Sequence, residues 1–305
     1  MSIFDIFKKK NKQMDTESLE IRNKTISEIK EELKRLVKNS IEMYADIDSE
    51  VLKSDSSKIG GKPFLPAGFV WPVFDDKEDG VTRPLSFFCQ LNLSELSAFD
   101  KEKQLPSKGL LLFFYECESF RWGFDPCDKG AARVFYFEDT ADFVPLDIPE
   151  CLDGDYRIPE IALGFETVES YPTFEEFEIY SDLDCDWEDF DEAAAELHVN
   201  LENVEKHKVL GYADVMQGEM LSECERVTRG MYCGDPGSYQ NTTNEVEADI
   251  NNRSKDWTLL LQLKTITKDS FEWMFGDCGM LYYYIRKEDL AKRHFDDGWF
   301  CVQCG

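Results

Sequence analysis

Histidine is the side chain best suited to moving protons near neutral pH, and the chain of 305 residues has three of them, His198, His207 and His294. His207 opens the run His207-Lys208-Val209-Leu210-Gly211-Tyr212-Ala213-Asp214-Val215-Met216-Gln217-Gly218, in which glycines bracket Asp214 and Gln217. A strand end followed by such a loop could bind a polar ligand, although a histidine that starts a strand and hydrogen-bonds to backbone is the commoner arrangement. Asp277 lies in a second glycine turn, Gly276-Asp277-Cys278-Gly279, where an aspartate ordinarily stabilises its own turn. His207, Asp214, Gln217 and Asp277 are thus the polar candidates for a small-molecule cleft. The loops Arg121-Trp122-Gly123-Phe124 and Glu272-Trp273-Met274-Phe275 add Trp122 and Trp273 as aromatic ones. No residue is assigned a catalytic role.

Nucleophile and metal chemistry find less support. Cys278 neighbours Asp277 rather than a cation, and a net charge of −28 raises a thiol pKa. No Gly-x-Ser-x-Gly elbow occurs, and Gly60-Gly61 lacks the spacing of a phosphate loop. Cys301-Val302-Gln303-Cys304 has the spacing of half a zinc site, but no second Cys-x-x-Cys follows, and strand residues three apart face opposite sides. Asp182-Leu183-Asp184-Cys185-Asp186 begins like a calcium loop. Its sixth position is Trp187, where the sharp turn needs glycine, and its twelfth is Ala193, where a bidentate glutamate is needed. The expectation is therefore a protein without metal or cofactor.

The 62 acidic residues against 34 basic ones argue against nucleic acid and anionic membranes as partners. Ile3, Phe4, Ile6 and Phe7 ahead of Lys8, Lys9, Lys10 and Lys12 offer too little apolar area for a surface anchor and read as a basic terminus over 1–15. No export signal or membrane span is visible, so the ten cysteines are expected as reduced thiols in a cytoplasmic protein. The oligomeric state stays open.

The elements that must position these residues follow from periodicity. Leu19, Ile26, Ile29, Leu33, Leu36, Val37 and Ile41 recur three and four apart and predict an amphipathic helix from Thr16 to about Tyr44, an N-terminal unit of 16–50 ahead of one domain over 51–305. Lys58 to Pro72 reads as a packed loop, because its prolines and glycines oppose both helix and central strand. Strands are predicted at 85–93, 109–116, 132–137 and 143–148, with a long aromatic loop at 117–131. Residues 174–196 form an acidic insertion without a single Lys or Arg, ending in a helix that begins near Asp186. Asp182, Asp184, Asp186, Glu188 and Asp189, with Trp187 and Phe190 as apolar anchors, are the candidates for an interaction surface. Phe88-Cys89-Gln90-Leu91 matches Leu260-Leu261-Gln262-Leu263, and Gly109 to Tyr115 matches Gly279 to Ile285. An α+β fold is expected, with antiparallel sheets from a duplicated three-strand unit over about 84–138 and 257–304.

Lys58-Ile59-Gly60-Gly61-Lys62-Pro63 with Leu65-Pro66 and Trp71-Pro72, Pro84 to Leu93, His207 to Asp214 with Gln217-Gly218, Trp257 to Leu263, and Trp273 to Asp277 with Gly279 together resemble the YwqG family of bacterial proteins. The match runs in order from about Lys58 to the C-terminus, so the first forty residues and the acidic insertion lie outside it. The resemblance implies a bacterial cytosolic α+β protein. It carries no activity, but some relatives neighbour secreted toxins and have been suggested as immunity proteins. The function expected is a protein-interaction module, immunity-like against a basic toxin. The alternative is a small-molecule enzyme or binding protein built on His207, Asp214, Gln217 and Asp277.

Overall fold

The computed structural model describes residues 16–45, 52–199, 206–239 and 242–305, with side chains from Arg22 onward except at position 23. The basic terminus over 1–15 lies outside the described residues. Ten strands form one antiparallel sheet: β1 (Lys38–Ala45), β2 (Lys58–Ile59), β3 (Ser86–Asn92), β4 (Leu110–Tyr115), β5 (Ala132–Phe137), β6 (Ile161–Ser170), β7 (His207–Val209), β8 (Trp257–Leu263), β9 (Met280–Arg286) and β10 (Trp299–Gln303). Their spatial order is β10-β9-β8-β7-β1-β6-β2-β3-β4-β5. The helices used below are α1 (Thr16–Leu36), α2 (Phe174–Tyr180), α3 (Trp187–Glu196), α4 (Leu221–Thr228), α5 (Asn244–Ser254) and α6 (Lys287–Lys292). The fold is α+β, as the run of apolar strands predicts. No helix among the described residues is long and apolar enough to cross a membrane.

Three segments differ from the sequence expectation. The N-terminal helix stops at Leu36, and Ile41 belongs to β1, which pairs with β6 over eight residues from Lys38↔Ser170 to Ala45↔Leu163. Ile41 and Met43 are buried and alternate with half-buried Glu42, the period of two that makes a strand. Of the expected unit over 16–50, the described residues 16–45 supply α1 and β1, and β1 sits at the centre of the sheet. Lys58-Ile59, expected in a loop, is a two-residue central strand between β6 and β3. Of 143–148, Phe143–Pro145 pairs with Phe64–Pro66 in a small sheet of its own.

The same hydrogen-bond pattern occurs on either side of the central pair. β3 carries a bulge between Phe87 and Cys89, and β8 one between Leu259 and Leu261. Two residues after each bulged position stands a fully buried glutamine. The Gln90 carbonyl accepts from Phe64 N at 2.8 Å while its amide donates to Ser54 and Ser56 C=O. The Gln262 carbonyl accepts from Asp214 N at 2.8 Å while its amide donates to Lys206 C=O and Asp214 Oδ2. Lys58 pairs with Gln90 and Lys208 with Gln262. Gly60-Gly61 and Leu210-Gly211 then turn the chain with positive φ, 61° and 72° in the first case and 61° and 78° in the second. Gly211 is required there, since a Cβ would lie 2.7 Å from that of Ser40.

The sheet curls so that β4 faces β9: Tyr283 donates to Phe114 C=O at 3.0 Å, its ring lies 5.1 Å from Phe113, and Val302 N of β10 donates to Trp122 C=O. The inner face encloses one core of both halves. The outer face of β8–β10, with Trp257, Leu259, Met280, Tyr282, Tyr284 and Cys301, is covered by Leu221, Cys224 and Val227 of α4. A third cluster joins Ile26, Ile29 and Leu33 of α1 to Phe177 of α2 and Phe190, Ala193 and Ala194 of α3. Tyr212 donates to the last carbonyl of α1, Leu36, and so ties this helical layer to the sheet.

Replacing Gln262 by leucine, of similar volume, leaves Asp214 N–H and Lys206 C=O without their partner. It is expected to lower unfolding stability by about 2 kcal/mol, read as a drop in urea midpoint at unchanged slope.

Candidate functional site

The His207–Gly218 segment is stitched to three strands. Gln262 of β8 holds Asp214, Tyr282 of β9 donates to Asp214 C=O at 2.6 Å, and Gln303 of β10 accepts from Met216 and Gln217 N while donating to Gly218 C=O. Asp214 in turn receives the buried Lys208 ammonium at 2.5 Å. A cleft of about 350 Å³ opens here, lined among others by Ser40, Glu42, Lys206, Lys208 and Asp214. Its ion pairs are internal, Lys206 with Glu42 and Lys208 with Asp214. His207, Gln217 and Asp277 are not in its lining. His207 Nδ1 accepts from Lys264 N at 3.2 Å, and burial, aided by the Lys264 charge, lowers its pKa to about 3. That is the satisfied, neutral histidine of a strand start and no proton carrier near pH 7.

The remaining candidates lie elsewhere. Gln217 is exposed, and Asp277 is exposed with its carbonyl bonded to Gly305 N. Trp122 stacks on Phe124 and meets Phe120 edge-on, while Trp273 packs among Phe88, Phe275 and Tyr156. Both rings lean on the inner core. The six residues thus do not share one cleft: His207 and Asp214 are held from β8 and its end, and Gln217, Trp122 and Asp277 by the last residues of the chain, while Trp273 packs on the inner core. Trp122 and Asp277 do flank the last residues of β10: Trp122 C=O binds Val302 N, and Gly276 presses against Cys304 and the Trp122 ring. Cys301 faces the other way, its sulfur 3.8 Å from that of Cys224.

The acidic insertion forms two short helices. Thr173 and Glu176 make a reciprocal capping box for α2, and the Asp186 side chain caps α3 by accepting from Asp189 N at 2.9 Å. α3 begins where the sequence places it. Phe190, expected as a surface anchor, is buried between Phe174 and Phe177, since α3 needs an apolar face against α1. Asp189 is bound by Arg22 at 2.7 Å, Glu192 by the same guanidinium, and Glu196 by Lys30. Asp182, Asp184, Asp186, Trp187 and Glu188 remain exposed.

Beside them runs a groove of about 740 Å³ between α1 and the link at 180–183, lined by Glu28, Glu31, Glu32, Arg35, Asp182 and Leu183. Four carboxylates face one guanidinium. Hydrogen bonds from Lys34 and Arg35 lower the pKa values of Glu31 and Glu32, so these two carboxylates stay ionised below the ordinary carboxylate range, each beside its cation. Glu28, Glu31 and Glu32 were absent from the sequence-based surface. The polar face of the amphipathic α1 is the signal that marks them, but only packing sets that face beside residue 182.

Residues 57–304 match the family described as Domain of unknown function (DUF1963). No protein among the curated sequences matches the chain.

Two measurements check these placements. Phe190→Ala should cost about 3 kcal/mol and Trp187→Ala under about 0.5, read by chemical denaturation. For His207 the folded pKa lies below the unfolded value of about 6.5, so the neutral ring stabilises the fold above that pH. The contribution is lost as pH falls from about 6.5 towards about 3. His207→Asn should flatten the stability profile across that window.

Proposed function

Because this chain belongs to the DUF1963 family, which is defined without an activity, we propose its function from its surface: it is a protein-interaction module whose acidic helical layer docks a basic protein. The observation that carries this reading is the acid-lined groove of α1 and the 180–183 link, whose Asp182 leads along the chain to the exposed Asp184, Asp186, Trp187 and Glu188. Each groove acid already has a surface cation, Lys24 for Glu28, Lys34 for Glu31, Arg35 for Glu32 and Lys255 for Asp182, so the field that speeds encounter with a cation comes from the excess of exposed acids along the insertion, and an exposed indole supplies the desolvated contact that acids lack. More than half of the groove's lining, on α1, lies outside the family match. The resemblance to YwqG proteins makes an immunity-like role against a basic, nuclease-type toxin in a bacterial cytoplasm the specific form of the proposal. The repeated Lys–Gln pattern beside β1 and β6 supports a duplicated scaffold for this surface. The cleft at Asp214 favours no catalytic reading, since its lysines already carry carboxylate partners.

The test neutralises Glu28, Glu31, Asp182, Asp184 and Glu188 to Gln or Asn, and leaves Asp186 and Asp189 intact because they cap α3 and bind Arg22. With a basic ribonuclease as probe, association of the native protein should slow at least tenfold between about 0.05 and 0.5 M salt. The variant should be slow at both. Equal rates for the two proteins at low salt would show the layer to be solubilising surface.

A further inference from the structure

Where the chain leaves α6 and approaches β10, Asp289, His294 and Asp297 stand together. Leu290 and Phe295 of this stretch turn into the core and anchor it. Arg293 takes the left-handed conformation, with φ 66°, that ends the helix. Its N–H donates to Leu290 C=O, His294 N donates to Asp289 C=O at 2.8 Å, and Asp297 N donates to His294 C=O at 3.1 Å. A helix end, a left-handed cap and one 3-10 turn thus bring three side chains to one place: His294 Nδ1 is 3.9 Å from Asp289 Oδ1 and 3.7 Å from Asp297 Oδ2, and the three ligand atoms all lie within 4.8 Å of one another.

The neighbouring cations are committed to other acids, Lys292 to Glu288, Arg293 to Glu138 and Arg133 to Asp296. Among the described residues neither Asp289 nor Asp297 has a lysine or arginine at ion-pair distance, and the neighbour they share is a histidine, charged only when protonated. Two carboxylates brought this close repel each other unless a cation lies between them. A neutral imidazole with its proton on Nε2 presents the Nδ1 lone pair to the same gap. One nitrogen and two oxygens suit a divalent ion of the zinc type, whereas magnesium and calcium take oxygen ligands and Cu(I) prefers thiolates. Ligand atoms around a tetrahedral zinc lie about 3.3 Å apart, so the observed separations need to close by only about 0.5 Å. His294 and Asp297 are exposed and Asp289 is half-buried, so side-chain rotation can supply that movement and a fourth position stays open to water.

We propose that Asp289, His294 and Asp297 form a binding site for one divalent transition-metal ion of the zinc type, held by His294 Nδ1 and one oxygen of each carboxylate. The sequence expectation of a protein without metal rests on Cys301-Val302-Gln303-Cys304 and on Asp182 to Asp186, and this triad is neither. It shares no residue with the acidic groove, so it stands or falls separately from the docking reading.

Titration of the full chain with Zn²⁺, in the presence of excess Mg²⁺ to occupy diffuse acidic surface, tests the site by NMR of the histidine ring protons, since the chain has three histidines. The ring signals of His294 should shift saturably in the micromolar range of Zn²⁺, while those of His198 and of His207, whose Nδ1 already accepts from Lys264 N, stay in place. Asp289→Asn and Asp297→Asn, at surface side chains, should each weaken Zn²⁺ at His294 at least tenfold. His294 signals that stay unmoved in excess Zn²⁺, that move as far with Mg²⁺ alone, or that respond to Zn²⁺ at the same concentration in native protein and Asp297→Asn would each overturn the assignment.

Discussion

Two buried side-chain amides, Gln90 and Gln262, determine the path of the chain on either side of the central strand pair. β2 and β7 are only two and three residues long, too short to hold their own register by ladder bonds. A buried amide with no partners is costly, and one that meets all of its partners fixes them in a single arrangement. Gln262 does so for Lys206 and Asp214, and Gln90 for Ser54, Ser56 and Phe64. Everything downstream depends on these turns. Tyr212 reaches the end of α1 only because Leu210-Gly211 reverses the chain beneath Ser40 and Ser170, and α1 in turn supports α3 and the acidic layer.

Charge is organised around the same frame. Two buried acids are given cations: Asp76 accepts from Arg121 and Arg83, and Glu225 from Arg229 and Arg286, whereas buried Glu116 is held by Ser119 and backbone N–H groups. Removal of one partner from such a cluster leaves a buried charge uncompensated. The exposed acids of the insertion are left to water, where their repulsion costs least. Half-buried Lys38, with its ammonium 3.7 Å over the Tyr212 ring, has its pKa lowered by burial, while burial raises that of Glu176 at the same seam between helical layer and sheet.

The helical side of the molecule carries a groove lined by acids. At the sheet edges a recess brings Lys129, Arg133 and Arg286 together with Asp296 and Asp297. Edge closure explains the second: β5 and β10 are the only ends of the ten-stranded sheet, and capping them with Asp296 and Trp122 C=O brings Arg133 and Arg286 to one opening.

The sequence alone determined the apolar strands, because runs such as Leu110 to Tyr115 admit no other buried element, and the start of α3, because Asp186 is an N-cap wherever that helix packs. It could not separate helix from strand at Ile41, since Leu36, Val37 and Ile41 satisfy a helical spacing while Ile41 and Met43 also satisfy that of a strand. Pairing with β6, far along the chain, decides between them. β6 itself, Ile161-Ala162-Leu163-Gly164-Phe165-Glu166-Thr167-Val168-Glu169-Ser170, has a weak apolar pattern and becomes a strand through its neighbours. Phe190 was legible as apolar but not as buried, for its burial depends on α1, more than 150 residues earlier. Local periodicity states what a segment can form; which side chains meet is decided by contacts between distant segments, and the acidic surface proposed here is made of such contacts.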